Sequence, residues 1–193
     1  MTDDPGLLER RLGDFLDDLE SSAPIPASGP AAAIVGAMAA SLVVMAARAS
    51  TSWDAAPGVA AQAVRLRERL VPLAQADAEA FKDALEALEQ VAAGQERHAS
   101  LGARLEKAAA LPMAIAESTA DVGELAALTA EYCNGPERTD AIAAAALAEG
   151  ATVAAIRLVE LNLRTTPGDE RSERGRQLVT LAGEARERAL ASG

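Results

Sequence analysis

The sequence predicts an all-α protein, a single-domain bundle of about seven helices built around a buried, alanine-rich central helix. Three observations carry that prediction. Apolar residues make up 50% of the 193, yet aromatics supply only 2%, so Ala, Leu, Val and Ile must build the core. Ala and Leu lose little side-chain entropy in a helix, whereas sheets favour β-branched and aromatic residues. Apolar side chains also recur at three- and four-residue spacing, and Pro and Gly cluster between those periodic stretches. A chain of this length fills one domain, taken as residues 1–193.

The first helix is expected from Gly6 to Ser21, capped by Asp4 with Pro5 in its first turn, and Leu8, Leu12, Phe15, Leu16 and Leu19 form its stripe. Ser22 to Pro30 breaks it, because a residue before proline avoids the α region. A second helix follows over 31–49. Ile34, Val35, Met38, Leu42 and Met45 line one face and small residues fill the others, a pattern that predicts burial. After a loop at 51–58 a long helix reaches Ala93, kinked or restarted at Pro72 and ended by Gly94. Helices are predicted from Arg97 to Thr119, with Pro112 a second kink, and from Gly123 to Tyr132. Asn134-Gly135-Pro136 reads as a turn. The sixth helix runs from Thr139-Asp140 to Leu163. The last, Glu170 to Ala191, alternates charges, with only Leu178, Val179, Leu181 and Leu190 turned inward.

Charge and rare residues narrow the function. With 18 basic against 29 acidic residues the net charge is −11, which argues against nucleic acid and anionic membranes as partners. Cys133 is the single cysteine and His98 the single histidine, so neither a cysteine-based metal site nor an intrachain disulfide is expected. His98 stands in a polar stretch and reads as a surface residue. The start, Met1-Thr2-Asp3-Asp4, is acidic where a secretion signal needs basic residues, which points to the cytoplasm. The longest apolar stretch, Ala31 to Ala47, is interrupted by Gly36 and Ser41 and reads as a core helix rather than a membrane span.

Five short motifs follow one another along the chain. Pro24-Ile25-Pro26-Ala27-Ser28-Gly29-Pro30 precedes the small-residue helix. Asp77-Ala78-Glu79-Ala80-Phe81 lies mid-chain, and Lys107 to Pro112 after it. Asn134 is followed by Thr139-Asp140, and Asn162-Leu163 closes the set. Together they resemble the cyclodeaminase/cyclohydrolase family of tetrahydrofolate enzymes. That family shows Ser-Pro-Thr-Pro-Gly-Gly-Gly-Ser, Asp-Ala-x-Ala-Phe, a Lys-to-Pro stretch, Asn-x-x-x-x-Ser-Asp and a terminal Asn-Val-x-Ile-Asn-Leu in the same order. The resemblance implies a helical homodimer acting on a one-carbon tetrahydrofolate, with no cofactor beyond that substrate. Two reactions are implied: hydrolysis of 5,10-methenyltetrahydrofolate to 10-formyltetrahydrofolate, or the related deamination of formiminotetrahydrofolate. A free-standing chain is more similar to the cyclohydrolase branch.

Matched residue by residue, the resemblance assigns Asp77 and Asp140 to catalysis, and Ser28, Gly29, Lys107, Asn134 and Asn162 to substrate binding. Hydrolysis of an iminium-like carbon needs a base for water and a proton for the leaving nitrogen. Asp77 lies between alanines, where burial would raise its pKa into a useful range; otherwise it is an exposed helix acid beside Glu79 and Asp83. Asp140 either stabilises a helix start or contacts a pterin nitrogen. Asn134 either shapes its turn or binds, and Asn162 is either a structural tie or a ligand contact. Lys107, Arg157 and Arg164 could add positive charge for an anionic tail, or stay solvated.

Three departures stand out. Ala27-Ser28-Gly29-Pro30 replaces the glycine-rich loop, adding side chains and deleting one amide at the helix entrance. Leu158 occupies the first Asn position of the closing motif, and few aromatics besides Trp53, Phe81 and Tyr132 remain for stacking. The alternatives are therefore a divergent relative binding another small molecule, or a non-catalytic helical dimer module.

Overall fold

The computed structural model describes residues 6–7, 9–21, 25–94, 98–163 and 168–193, without the side chains of 98–100, 103 and 107. Asp4, Pro5, Leu8, Pro24, Arg97 and Arg164, and the side chains of His98 and Lys107, lie outside the described residues. Six helices form: α1 (Leu12–Glu20), α2 (Ser28–Ala49), α3 (Ala56–Ala92), α4 (His98–Tyr132), α5 (Arg138–Asn162) and α6 (Glu170–Ala191). No strand occurs among the described residues. The bundle is all-α, as predicted, but the break expected between Thr119 and Gly123 is absent. Gly123 is buried there, and α5 and α6 pack against α4 and hold it helical across that point. The helices at Pro72 and Pro112 also continue rather than restart.

Helix α4 lies against α2, α3, α5 and α6, so it holds the centre that the sequence assigned to α2. Small residues set the spacing. Ala33, Ala39, Ala40, Ala63, Ala109, Ala116, Ala141, Ala144 and Ala145 are fully enclosed. A β-carbon on Gly36 would stand 2.4 Å from Thr119 Cγ2, so glycine alone lets α2 approach α4 this closely. Beneath that crossing the hydroxyls of Thr119 and Thr152 share a hydrogen bond of 2.8 Å, joining α4 to α5 in the core.

The apolar stripe of α2 is only partly enclosed, with Ile34, Val35 and Leu42 half-buried against the core. Met38 and Met45 are 53% and 44% exposed, while Ala32, Ala33, Gly36, Ala37, Ala39, Ala40, Val43 and Val44 face the core. By length and composition α2 and α5 could each cross a membrane, but 61% and 44% of their most apolar windows are buried inside the bundle. Helix α1 begins at Leu12 rather than Gly6; Phe15 is its buried anchor, set with Leu7 against Ala78 of α3, while Leu12 and Leu16 are exposed. On α6, Leu178 is buried as predicted, whereas Leu181 and Leu190 are exposed. Its inner face is made by Gly175, Ala182, Ala185 and Ala189 instead. Side-chain size thus misleads where helices pack through alanine.

Candidate active site

A pocket of about 220 Å³ opens where three helices converge on the loop that enters α2. Its lining is Ala27, Ser28 and Gly29 from that entrance, Asp77 and Phe81 from α3, Ala108 and Pro112 from α4, and Leu158, Leu161 and Asn162 from α5. Each helix contributes residues three or four apart, which fall on one face.

Asp77 is the chemical centre of this pocket. It is 7% exposed, while its neighbours Glu79 and Asp83 are exposed, so the buried alternative holds. Among the described residues no hydrogen bond or ion pair reaches its carboxylate. Burial therefore acts unopposed and raises its pKa from 3.8 to about 6. The carboxylate lies directly over Gly29: a β-carbon there would stand 1.9 Å from Asp77 Oδ2. The one glycine kept from the expected glycine-rich loop is thus the one the acid requires.

The helix entrance adds donors. Ala27 caps α2 without a side-chain hydrogen bond, and the first helical amide bond runs from Ala31 to the Ala27 carbonyl. The amides of Ser28 and Gly29 precede it and have no acceptor within the helix, and Pro30 has no amide. These two free donors sit at the positive end of α2, which suits an anionic or carbonyl-bearing ligand. Pro112 likewise has no amide to donate to the carbonyl of Ala108 one turn earlier. Leu158 and Leu161 make the α5 side apolar, and Asn162 is its polar edge.

Of the residues predicted from sequence, Ser28, Gly29, Asp77 and Asn162 come together here. Asn134 and Asp140 do not. Asp140 lies in the first turn of α5 and Asn134 just before that helix, and the rise from Asp140 to Asn162 is about 33 Å within one chain. Asn134 accepts a hydrogen bond from Arg138 Nη2 at 3.3 Å, and Arg138 also donates to the Cys133 and Ser192 carbonyls at 2.7 Å each. Asp140 occupies the first turn of α5, where the free amides stabilise a carboxylate. Arg157 pairs with Glu160 at 2.7 Å on the surface. Sequence reasoning missed Pro112 and Leu161 as lining residues. The spacings Ala108/Pro112 and Leu158/Leu161/Asn162 carried the signal, once the helices were known to converge.

The fold and the pocket define an all-helical domain with a desolvated carboxyl group facing a helix entrance. The chain belongs to the formiminotransferase-cyclodeaminase family, whose profile matches residues 11–178. Its fold is similar to that of formiminotetrahydrofolate cyclodeaminase from Thermotoga maritima, with a TM-score of 0.83, 23% identity and 96% of each chain covered. A comparison with curated proteins finds no match.

Proposed function

We propose that the protein is a cytoplasmic, homodimeric enzyme that performs acid–base chemistry at the one-carbon unit of a tetrahydrofolate. The observation that carries this reading is the unpartnered Asp77 carboxyl, buried against Gly29 with a pKa of about 6. A group with that pKa accepts and returns a proton near neutral pH. In cyclodeamination, N10 attacks the carbon of the protonated formimino group; Asp77 takes the N10 proton and returns it to the NH2 nitrogen, which leaves as ammonia as the C–N bond breaks and the methenyl cation forms. In hydrolysis, water attacks the methenyl carbon; Asp77 takes one water proton and passes it to N5 as the C–N5 bond breaks, and the remaining hydroxyl proton is released to solvent, leaving the neutral formyl group on N10. Both reactions ask the same of this residue. The structural neighbour of comparable length is named a cyclodeaminase, which favours the first reaction.

The homodimer is supported by the two outward stripes. Val35, Met38, Leu42 and Met45 on α2, and Leu147, Ala154, Leu158 and Leu161 on α5, which packs against α2, stay half-buried or exposed at heptad-like spacing. From Ser28 to Ala47 no charged residue interrupts this face. An apolar face of this kind suits a second copy. Because α2 and α5 run antiparallel, a two-fold axis across their middle would bring Asn134 and Asp140 of one copy towards Asp77 and Asn162 of the other. Lys107 would add charge for the folate tail.

The near-ultraviolet absorbance of the methenyl bridge tests the reading. Formiminotetrahydrofolate should give a rising signal, or methenyltetrahydrofolate a falling one, and Asp77→Asn should slow it by about 10²–10⁴-fold. No enzyme-dependent change with either compound would overturn the proposal.

A further inference from the structure

The largest aromatic feature of the chain lies at the far end of α2 from Asp77. Trp53 and Tyr132 stack with ring centroids 5.3 Å apart and an interplanar angle of 12°. Tyr132 is 47% exposed. Trp53 also lines a cavity of about 610 Å³, nearly three times the volume of the Asp77 pocket. Ala47, Ala56 and Ala60 form its buried floor, and Arg48 and Asp54 are its charged groups. Among the described residues, no hydrogen bond or ion pair engages either Arg48 or Asp54.

These features complement one ligand chemistry. Trp53 lines the cavity, and Tyr132 stacked on its indole holds the ring in place. Stacking a ligand ring on an aromatic side chain strengthens binding by at least about fivefold. Arg48 offers a planar fork to an acid, and Asp54 accepts from ring amino groups. We infer that the Trp53 cavity binds a planar, amino-substituted aromatic acid, and that Trp53, Arg48 and Asp54 are its stacking, anion-binding and N–H-accepting groups. The inference rests on the folate reading only for the choice of probes.

Trp53 is the sole tryptophan, so its excited-state lifetime reports this cavity and is unaffected by light absorbed by the ligand. The full-length protein is titrated with folic acid, with 4-aminobenzoylglutamate and with pterin, alongside calorimetry on the same samples. The expected result is a saturable change in Trp53 lifetime with folic acid. Calorimetric affinity should weaken at least about fivefold in Arg48→Gln and in Trp53→Leu, with Trp53→Phe keeping most of it. The two fragments show which half of the ligand the cavity holds. Calorimetric binding without any lifetime change, and unaltered in Trp53→Leu, would overturn the cavity while leaving the Asp77 reading intact. No binding of any of the three probes would overturn the inference as well. A lifetime change in a protein without turnover of either tetrahydrofolate would support the cavity and count against the enzyme.

Discussion

The carboxylate of Asp77 rests on the α-carbon of Gly29, with only 1.9 Å between Oδ2 and the position a β-carbon would take. An acid on one helix thus fixes the side chain of the loop residue facing it. The loop gave up most of the glycines expected of it but could not give up this one.

Gly29→Ala is therefore expected to push Asp77 out of its place or open the entrance of α2. Overpacking of this kind costs about 1–3 kcal/mol. Thermal unfolding should show a lower midpoint, and turnover should fall further than stability alone explains. Ser28→Ala, which only shortens an exposed side chain at the next position, serves as the comparison and should leave the midpoint nearly unchanged.

Asp77 also makes stability depend on pH. Its pKa is 3.8 in the unfolded reference and about 6 when folded. Below about pH 3 both states are protonated and no penalty arises, and at pH 4 it is still small. Between the two pKa values the unfolded chain releases the proton first, so stability declines as pH rises, by about 3 kcal/mol once pH exceeds 6. Asp77→Asn removes that term. The variant should nearly match the wild type at pH 4 and unfold roughly 5–10 °C higher at pH 8, a trade of stability for function. Equal midpoints at both pH values would show that the carboxyl is not desolvated.

Much of this was legible in the chain itself. The small-residue composition announced a helical bundle, while the Ala-Asp-Ala setting of Asp77 left burial and exposure both open until the neighbouring helices were in place. What sequence periodicity inverted was orientation. On α2 the large residues Met38 and Met45 face out, because alanine and glycine allow closer backbone approach on the other side. The distance between Asp140 and Asn162 was also illegible, since motif order says nothing about which ends of long helices meet. Pro112 read only as a kink within its helix; the helix continues through it, and Pro112 lines the pocket.

The exposed stripe leads to a solution measurement. Light scattering on the wild type should give twice the chain mass of 19.8 kDa. Met38→Glu combined with Met45→Glu places charges on the same face and should give the single-chain mass, with unchanged helical content by circular dichroism. A wild-type protein that is monomeric at micromolar concentration would remove the dimer from the account.

The buried pair Thr119 and Thr152 tests how α4 is held to α5. Thr152→Val leaves the Thr119 hydroxyl with a poorer partner and should cost about 1–3 kcal/mol. The double variant with Thr119→Val should cost less than the sum of the singles, because no polar group is stranded when both are replaced. Additive losses in denaturant titrations would mean that the two hydroxyls do not act together.

The most direct test follows the turnover of a one-carbon tetrahydrofolate from pH 5 to pH 8 in the wild type and in Asp77→Asn. Proton transfer by the buried carboxyl predicts a wild-type limb with an apparent pKa near 6 that is missing from the residual rate of the variant. A variant that keeps both the rate and the limb would contradict it.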